Sequence, residues 1–510
     1  MRRRAMTCAA FYRLIRSIFA VVCGLGLLAG SAGRAEAQVA CEALSGFTAP
    51  DVRITAATRA STPVPLCKVD GVIGREIQFA VWLPETWNGL FVMGGQGGYA
   101  GRVESQALNL GALEKGYAVG GTDTGHVGPG GSTDASWALG NLERVVNFGH
   151  LAIHRVTATA KAVVQARYGR AAEKAYFAGC SNGGRQALMS AQRYPDDFDA
   201  IIAGAPAQDF RGVIATFLTI TRAMYPDPAR LDKATLSTAD QQALQKAVLT
   251  KCDAADGLTD GVLADPTACT VDLATLACTA GNADGCLSRE EIAAVETITK
   301  GPMLDGKPYH VGFPYGAEGI ARGGWDPWLV HQKDIAGPGR PSLAYGFGLD
   351  FLRYFVKQDP AWSYTSFDLS SFTAETQALQ ATLSPMDPDL SAFRRRGGKL
   401  LMYHGWSDPA LSAWMTTRYV DAVLARDASA ANDVRLFMMP GVLHCGGGPG
   451  PDRVELLDAI ERWSRGGPAP GELTASFATG GGARKLCAHP KKAVFTGKGD
   501  GRSPDQFECR

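Results

Sequence analysis

The sequence lacks a net charge of either sign. Lys and Arg number 51 against 50 Asp and Glu, which leaves a formal net charge of +1. A chain without a basic or acidic excess has no field that draws it to nucleic acid or to an anionic membrane surface. It also lacks internal repeats and long low-complexity runs, so its 61 glycines indicate loops and close backbone approaches rather than disorder.

A hydrophobic run of membrane-spanning length is also missing at the N-terminus. The apolar stretch there, residues 18–30, is shorter than the roughly 20 residues that span a bilayer. It follows Arg2, Arg3 and Arg4 and precedes Ala35-Glu36-Ala37, an A-x-A cleavage site. This pattern predicts a signal peptide over residues 1–37 and a secreted or periplasmic protein. An uncleaved membrane anchor is the alternative, and the short apolar stretch disfavours it.

No C-x-x-C pair occurs in the sequence. Of the 12 cysteines, Cys8 and Cys23 lie in the predicted signal peptide, which leaves ten, an even number, in the mature chain. In an oxidising compartment this favours disulfides over metal thiolates. The ten are Cys41, Cys67, Cys180, Cys252, Cys269, Cys278, Cys286, Cys445, Cys487 and Cys509.

The order of predicted elements indicates an α/β fold in two parts with an insertion. Strand-like runs alternate with helical stretches over residues 38–205, which predicts a mostly parallel sheet. This rhythm is lost over residues 206–386, which we interpret as an inserted second domain. It resumes over residues 387–510, with predicted strands at 399–404 and 434–440.

The segment Gly179-Cys180-Ser181-Asn182-Gly183 fits the pattern G-x-S-x-G. A β-prone run, residues 174–178, precedes it, and good helix formers at 185–193 follow it. A sharp strand-to-helix turn of this kind exposes a serine hydroxyl as a nucleophile. We therefore predict a serine hydrolase with Ser181 as the nucleophile; a structural glycine-rich turn is the alternative.

A serine nucleophile needs a histidine base and a carboxylate that orients it. When the order Ser, Asp or Glu, His is assumed, five histidines remain, and His444 is the best placed because it lies four residues past the strand predicted at 434–440. Asp408 follows the strand predicted at 399–404 in the same way, whereas no strand precedes its rivals Asp387 and Asp389. For a lone histidine, a packed or surface role is the competing interpretation. The other four histidines are His310, His331, His404 and His489.

Two cysteines flank these predicted groups. Cys180 precedes Ser181 and Cys445 follows His444, so one disulfide could join the two loops. The alternative is a buried free thiol at Cys180 with Cys445 paired elsewhere.

Three motifs resemble the tannase and feruloyl esterase family of α/β-hydrolases. They are residues 179–185 (GCSNGGR), 403–408 (YHGWSD) and 444–450 (HCGGGPG), and the resemblance covers nearly the whole mature chain. It implies an α/β-hydrolase core with a lid domain at 206–386 and a Cys180–Cys445 bond. It also implies the pairs Cys41 with Cys67, Cys252 with Cys269, Cys278 with Cys286, and Cys487 with Cys509.

The oxyanion hole requires two backbone donors, one of them on the residue after the nucleophile, here Asn182. The loop at 93–99 (MGGQGGY) resembles the family's glycine-rich loop and implies Gly98 as the second donor, with Gly97 as a near rival. Phosphate binding by this loop is disfavoured because it fits neither G-x-G-x-x-G nor a P-loop.

Three carboxylates crowd one short loop of the predicted insertion. Asp253, Asp256 and Asp260 stand within 252–262 (CDAADGLTDGV), and hard oxygen donors of this kind suit calcium. By composition a solvated acidic turn is equally compatible. The family resemblance implies a structural calcium ion in the lid, with Leu258 and Val262 as carbonyl ligands.

We therefore expect a serine carboxylic ester hydrolase, a monomer, that acts on small aromatic-acid esters of the feruloyl or galloyl type. Six aromatic residues of 206–386 suit a planar acyl group, although aromatics at this density are more often core: Trp325, Trp328, Tyr354, Phe355, Trp362 and Tyr364. The alternative enzyme is a hydrolase of mono(2-hydroxyethyl) terephthalate. It is disfavoured because the segment around Arg340 resembles the aryl-binding segment of such family members only in its arginine, and residues 341–345 (PSLAY) diverge. A non-catalytic protein that binds aromatic acids is the alternative from another class.

Overall fold

The computed structural model describes residues 38–279, 285–331 and 340–510. The predicted signal peptide, residues 1–37, lies outside the described residues. The strands are β1 Val52–Ala60, β2 Leu66–Ile73, β3 Ile77–Pro84, β4 Leu90–Gly94, β5 Ala118–Thr122, β6 Lys174–Cys180, β7 Ala200–Gly204, β8 Met303–Leu304, β9 Lys307–Pro308, β10 Lys399–Gly405, β11 Val434–Met439, β12 Glu472–Ser476, β13 Ala483–Cys487, β14 Ala493–Phe495 and β15 Phe507–Cys509.

The α-helices surround the sheet and fill the segment between β7 and β10. They are α1 Leu142–Val146, α2 Ala152–Tyr168, α3 Asn182–Arg193, α4 Phe210–Met224, α5 Thr238–Cys252, α6 Arg289–Lys300, α7 Trp325–Trp328, α8 Leu343–Asp350, α9 Leu369–Glu375, α10 Gln377–Leu383, α11 Ser391–Arg395, α12 Ala413–Arg426 and α13 Leu456–Ser464. None of the helices in the described part of the chain is long and apolar enough to cross a bilayer.

A nine-stranded sheet organises the described residues, in the order β1-β2-β3-β5-β4-β6-β7-β10-β11. Along this order, neighbouring strands from β1 as far as β5 pair antiparallel. From β5 through β4, β6, β7 and β10 to β11, neighbouring strands pair parallel. The mostly parallel sheet is therefore as predicted. The carboxyl ends of β6, β10 and β11 lie at one edge because these strands run in the same direction, and the loops that follow them carry Ser181, Asp408 and His444.

Both faces of the sheet are buried, as its strand composition requires. Along β4, Phe91 and Met93 pack into one hydrophobic cluster with α2 and α3, whereas Leu90 and Val92 pack into another with α13. The alternation follows from the two-residue period of a strand.

A third hydrophobic cluster consists mostly of residues from the predicted insertion. It joins α4, α6 and α8 to Tyr99 and Phe148, which come from the first part of the chain. Residues 39–510 form one compact unit, so the domain boundaries at 205/206 and 386/387 stay a prediction.

In the described part of the chain, five disulfides join the ten cysteines in the pairs that the family resemblance implies. They are Cys41–Cys67, Cys180–Cys445, Cys252–Cys269, Cys278–Cys286 and Cys487–Cys509.

Candidate active site

Ser181 occupies a strained turn between β6 and α3. Its φ of 65° and ψ of −126° place it in a region that L-residues rarely adopt. Its N–H donates to Gly204 O at 3.0 Å, and its carbonyl accepts from the amides of Arg185 at 3.0 Å and Ala207 at 3.2 Å. Backbone hydrogen bonds on both sides thus hold the strain at the predicted nucleophile.

The glycines around Ser181 are needed because the backbone packs too closely for a side chain. A Cβ on Gly179 would lie 2.6 Å from the carbonyl carbon of Gly183, and one on Gly184 would lie 2.2 Å from Gly204 O. The sharp turn and the close packing of α3 on β7 therefore both exclude larger residues.

Gln106 braces the same turn, and sequence reasoning missed it. Its Oε1 accepts from the Cys180 N–H at 2.8 Å, and its Nε2 donates to the Cys180 carbonyl at 3.2 Å. Gln106 lies in a short 3₁₀ helix, Gln106–Leu110, and nothing in its local sequence marks it.

His444 and Asp408 form a hydrogen-bonded pair. His444 Nδ1 and Asp408 Oδ2 are 2.8 Å apart, so the imidazole donates from Nδ1 and keeps Nε2 for another partner. Asp408 Oδ1 accepts from the amides of Ala410 at 2.8 Å and Leu411 at 2.9 Å.

Asp408 is buried and ionised. Burial alone would raise the pKa of its carboxyl group, but the electrostatic interaction with His444 and the side-chain contacts of His404 and His444 outweigh burial and hold this pKa well below its usual range. The carboxylate therefore orients His444 without competing for its proton in the neutral pH range.

Two backbone contacts bring the loop of Asp408 to the loop of His444. The N–H of Trp406 donates to Met439 O at 2.9 Å, and the N–H of Ser407 donates to Val442 O at 3.1 Å. Cys445, directly after His444, has a φ of 64° and is bonded to Cys180. The predicted nucleophile and base thus have disulfide-linked neighbours.

Ser181 and His444 line one cavity of about 290 Å³, together with Asn182, Gly97 and Gly98. Gly98 has a φ of 53°, and a Cβ there would lie 2.4 Å from Ser132 O. Both glycines border the cavity, so the choice of Gly98 over Gly97 as an oxyanion donor stays a prediction.

The two predicted oxyanion segments are connected through side chains of α3. Arg185 Nε donates to Asn182 Oδ1 at 2.7 Å, and Asn182 Nδ2 donates to Gln96 O at 3.2 Å. The Gln96 N–H in turn donates to Gln186 Oε1 at 3.0 Å. These hydrogen bonds therefore link the turn of Asn182 to the glycine-rich loop 93–99.

Arg185 is fully buried, and in the described part of the chain no carboxylate lies within ion-pair distance of it. Besides Asn182, it donates to the carbonyls of Phe148, Gly149 and Leu383. Burial lowers the pKa of its guanidinium to about 9, so the group stays charged at neutral pH.

The rest of the cavity wall is largely apolar. Trp328 lies edge-to-face against His444, with ring centroids 4.9 Å apart. Of the six aromatic residues considered from the sequence, Trp328 lines the cavity and the other five do not. The remaining apolar walls come from Phe210, Val213, Ile214, Phe217, Phe347 and Leu411.

Arg340 lies outside this cavity lining. Its guanidinium donates to Asp350 Oδ2 at 2.7 Å and to Thr133 Oγ1, so buried Asp350 neutralises it. The charged side chains that border the cavity, Arg102 and Glu104, are exposed and pair with each other at 3.3 Å.

The acidic loop of the predicted calcium site brings its carboxylates together only loosely. Burial raises the pKa of Asp256, and the nearby carboxylates of Asp260 and Asp253 raise it further. The oxygens of Asp253 accept from the amides of Asp260 and Gly261, and Asp260 Oδ2 binds Arg484. Within the described ranges, no three His, Cys, Asp or Glu side chains are arranged to hold a metal ion.

Comparison with known proteins adds the family. The family described as "Tannase and feruloyl esterase" matches residues 61–510. An uncharacterized esterase of Xanthomonas campestris is 33% identical, over 99% of this chain and 94% of its own. A mono(2-hydroxyethyl) terephthalate hydrolase of Piscinibacter sakaiensis is 31% identical, over 87% and 84%. Feruloyl esterase B of Aspergillus niger is 30% identical, over 84% and 82%.

Solved structures agree with this assignment. The crystal structure of feruloyl esterase B from Aspergillus oryzae superposes with a TM-score of 0.79 at 25% identity, covering 92% of this chain and 99% of that one. An esterase from the same species gives a TM-score of 0.80 at 24% identity, with the same coverage, which shows the shared fold. The chain therefore belongs to the tannase and feruloyl esterase family and is an α/β-hydrolase that cleaves carboxylic esters.

Proposed function

We propose that the protein is a serine esterase that hydrolyses aromatic-acid esters whose acyl group is uncharged, through Ser181, His444 and Asp408. The observation that carries this proposal is that His444, 2.8 Å from Asp408, lines the same largely apolar cavity as the strained Ser181. Strain at a buried turn is retained where it serves a function.

The reaction proceeds by acyl transfer. Ser181 Oγ attacks the ester carbonyl carbon while His444 Nε2 takes the hydroxyl proton, and Asp408 holds the imidazolium through Nδ1. The amides of Asn182 and Gly98 stabilise the tetrahedral oxyanion. When the intermediate collapses, His444 protonates the departing alcohol. Water then attacks the acyl-enzyme by the same steps and releases the acid.

The charge of the cavity favours a neutral acyl group. A terephthalate monoester carries a second carboxylate, and burying a carboxylate without a cation is costly. Among the described residues that line the cavity, the one cationic side chain, Arg102, is exposed and paired with Glu104. Arg340 is bonded to Asp350. A phenolic acid of the feruloyl or galloyl type meets no such penalty, and the parallel rings of Trp328 and Phe347 offer aromatic surface.

We also propose that the protein is exported. A leader-like N-terminus and five disulfides are both typical of proteins from oxidising compartments.

A calcium ion in the loop 252–262 is a further part of the proposal. The donors are hard oxygens, which suit calcium in kind. Their present arrangement is less suitable, because Asp260 binds Arg484 and Asp253 accepts backbone amides. Binding would require Asp260 to turn from Arg484, with Asp253, Asp256 and the carbonyls of Leu258 and Val262 completing the site. Its effect would be structural, since none of these residues lines the cavity.

Ser181→Ala tests the reaction. We expect it to lower kcat/KM for methyl ferulate at least about 10³-fold, because no other group replaces the nucleophile. Ser190→Ala is the matched control: Ser190 lies in α3, the helix that follows Ser181, its hydroxyl donates to Gln186 O, and the variant should stay close to wild type. Activity of Ser181→Ala equal to wild type would falsify the proposed function. Methyl gallate and mono(2-hydroxyethyl) terephthalate complete the panel, and preference for the terephthalate would refute a neutral acyl pocket.

Removal of the Cys180–Cys445 bond tests the link between the two loops. The double variant Cys180→Ala/Cys445→Ala should lose roughly ten- to hundredfold in kcat, because small displacements of reacting groups are costly. Cys41→Ala/Cys67→Ala removes a bond that does not border the cavity, and it should lower the melting temperature while kcat is kept. Wild-type kcat in the first variant would show that the disulfide does not position the site.

Export is checked by the N-terminus of the protein recovered from the periplasm or medium of an expressing bacterium. We expect intact mass to give a chain that begins at Gln38, because signal peptidase cleaves after an A-x-A site. Recovery of a chain that keeps residues 1–37, in the cell membrane, would contradict the proposal.

Calcium is tested by melting temperature. EDTA should lower the melting temperature and added calcium should restore it, because a ligand that binds only the native state stabilises it. Asp256→Asn should remove most of this response, whereas Asp272→Asn, at a helix cap outside the loop, should keep it. An identical melting temperature with and without EDTA argues against the site.

A further inference from the structure

His404 is a buried histidine that the proposed reaction leaves unused. It lies near the end of β10, four residues before Asp408, and its side chain is inaccessible to solvent. Its Nδ1 is 2.8 Å from Thr416 Oγ1. Its Nε2 is 3.0 Å from the Leu411 carbonyl and 3.2 Å from Asp408 Oδ2. It does not line the cavity, so it does not reach the substrate.

These contacts determine where His404 carries its proton. The Leu411 carbonyl and the ionised Asp408 only accept hydrogen bonds, so the proton resides on Nε2. The Thr416 hydroxyl, in the first turn of α12, can donate to Nδ1.

His404 and His444 share one oxygen of Asp408. Oδ2 faces His444 Nδ1 at 2.8 Å and His404 Nε2 at 3.2 Å, while Oδ1 is occupied by the amides of Ala410 and Leu411. These two histidines are the titratable side chains within hydrogen-bonding distance of Asp408 in the described part of the chain. Both oxygens of the carboxylate thus face hydrogen-bond donors.

We infer that His404 is a positioning residue. It interacts through Nε2 with Asp408 Oδ2, the oxygen that also faces His444, and so sets how strongly Asp408 stabilises protonated His444. This inference rests on the proposed function. A carboxylate that gives some of its hydrogen-bonding capacity to a second imidazole stabilises the imidazolium form of His444 less. His444 therefore stays neutral, and able to act as a base, down to a lower pH than it would beside an unshared carboxylate.

The backbone supports this arrangement. A Cβ on Gly405, the residue after His404, would lie 2.1 Å from Val442 O. Glycine here lets the end of β10 pack directly on the loop that carries His444. The end of β10 with His404, and the loop with Asp408 that follows it, are thus in backbone contact with the loop of His444.

Two substitutions of His404 separate the hydrogen bond from packing. His404→Gln places an amide near the position of Nε2 and can still donate to Asp408; His404→Asn is shorter and reaches only toward Thr416. We expect His404→Asn to shift the acid limb of the kcat/KM profile for methyl ferulate upward by about 0.5–1 pH unit. Its kcat should fall about tenfold with KM little changed. His404→Gln should restore the wild-type limb.

The control is His150→Gln, which removes a half-buried histidine bonded to Tyr194 and should leave the acid limb in place. An unshifted limb in folded His404→Asn overturns the inference, as does a shift of equal size in His404→Gln. If Ser181→Ala is inactive and the limb is unshifted, the inference fails while the proposed function stands. Full activity in Ser181→Ala would show instead that the proposed function is wrong, and the inference that rests on it would fail as well.

A second measurement reads the His404 ring in the wild-type protein. With ¹⁵N-histidine labelling, His404 should give the shifts of a ring protonated at Nε2 and not at Nδ1, and its signals are assigned by their loss in His404→Gln. A ring protonated at Nδ1, or at both nitrogens, overturns the inference.

Discussion

The active-site region depends on the left-handed backbone of Ser181. A residue with a side chain in this conformation costs about 1–3 kcal/mol and persists only when its surroundings hold it. Here the hydrogen bonds to Gly204, Arg185 and Ala207 hold the residue itself, and Gln106 holds both backbone groups of Cys180. Relaxation of the turn would break several of these contacts at once.

Another strained position lies beside the predicted base. Cys445 has a φ of 64°, and its disulfide to Cys180 joins it directly to the first strained turn. Asp408 completes this assembly from the neighbouring strand end, with donors on both carboxylate oxygens. Three loops that follow parallel strands are therefore held by covalent and hydrogen bonds rather than by apolar packing alone, which gives an open cavity rigid walls.

Much of this arrangement is predictable from local sequence. The turn at Ser181 has a short pattern with a strand before it and a helix after it, and Asp408 and His444 each follow a predicted strand, because parallel strands present their carboxyl ends at one edge. Gln106 and the roles of Arg185 and His404 are not predictable in this way. Their partners lie in other segments, and no periodicity or spacing signals a hydrogen bond between distant parts of a chain. The aromatic residues of 206–386 show the same limit: composition identifies six of them, but only tertiary packing brings Trp328 to His444 while Trp325 becomes core.

The Cys180–Cys445 disulfide has a consequence for how the protein is made. Its two cysteines are 265 residues apart, and six further cysteines lie between or beyond them in the chain besides the early Cys41–Cys67 pair. Because the polypeptide emerges from its N-terminus, Cys180 is available for mispairing throughout the synthesis of everything up to Cys445. The loops of Ser181 and His444 can thus be joined only after Cys445 has been synthesised, and any wrong pair that Cys180 forms earlier must be broken before the native bond can form. In a purified sample, the number of free thiols per chain would report the fraction of molecules in which that pairing is incomplete.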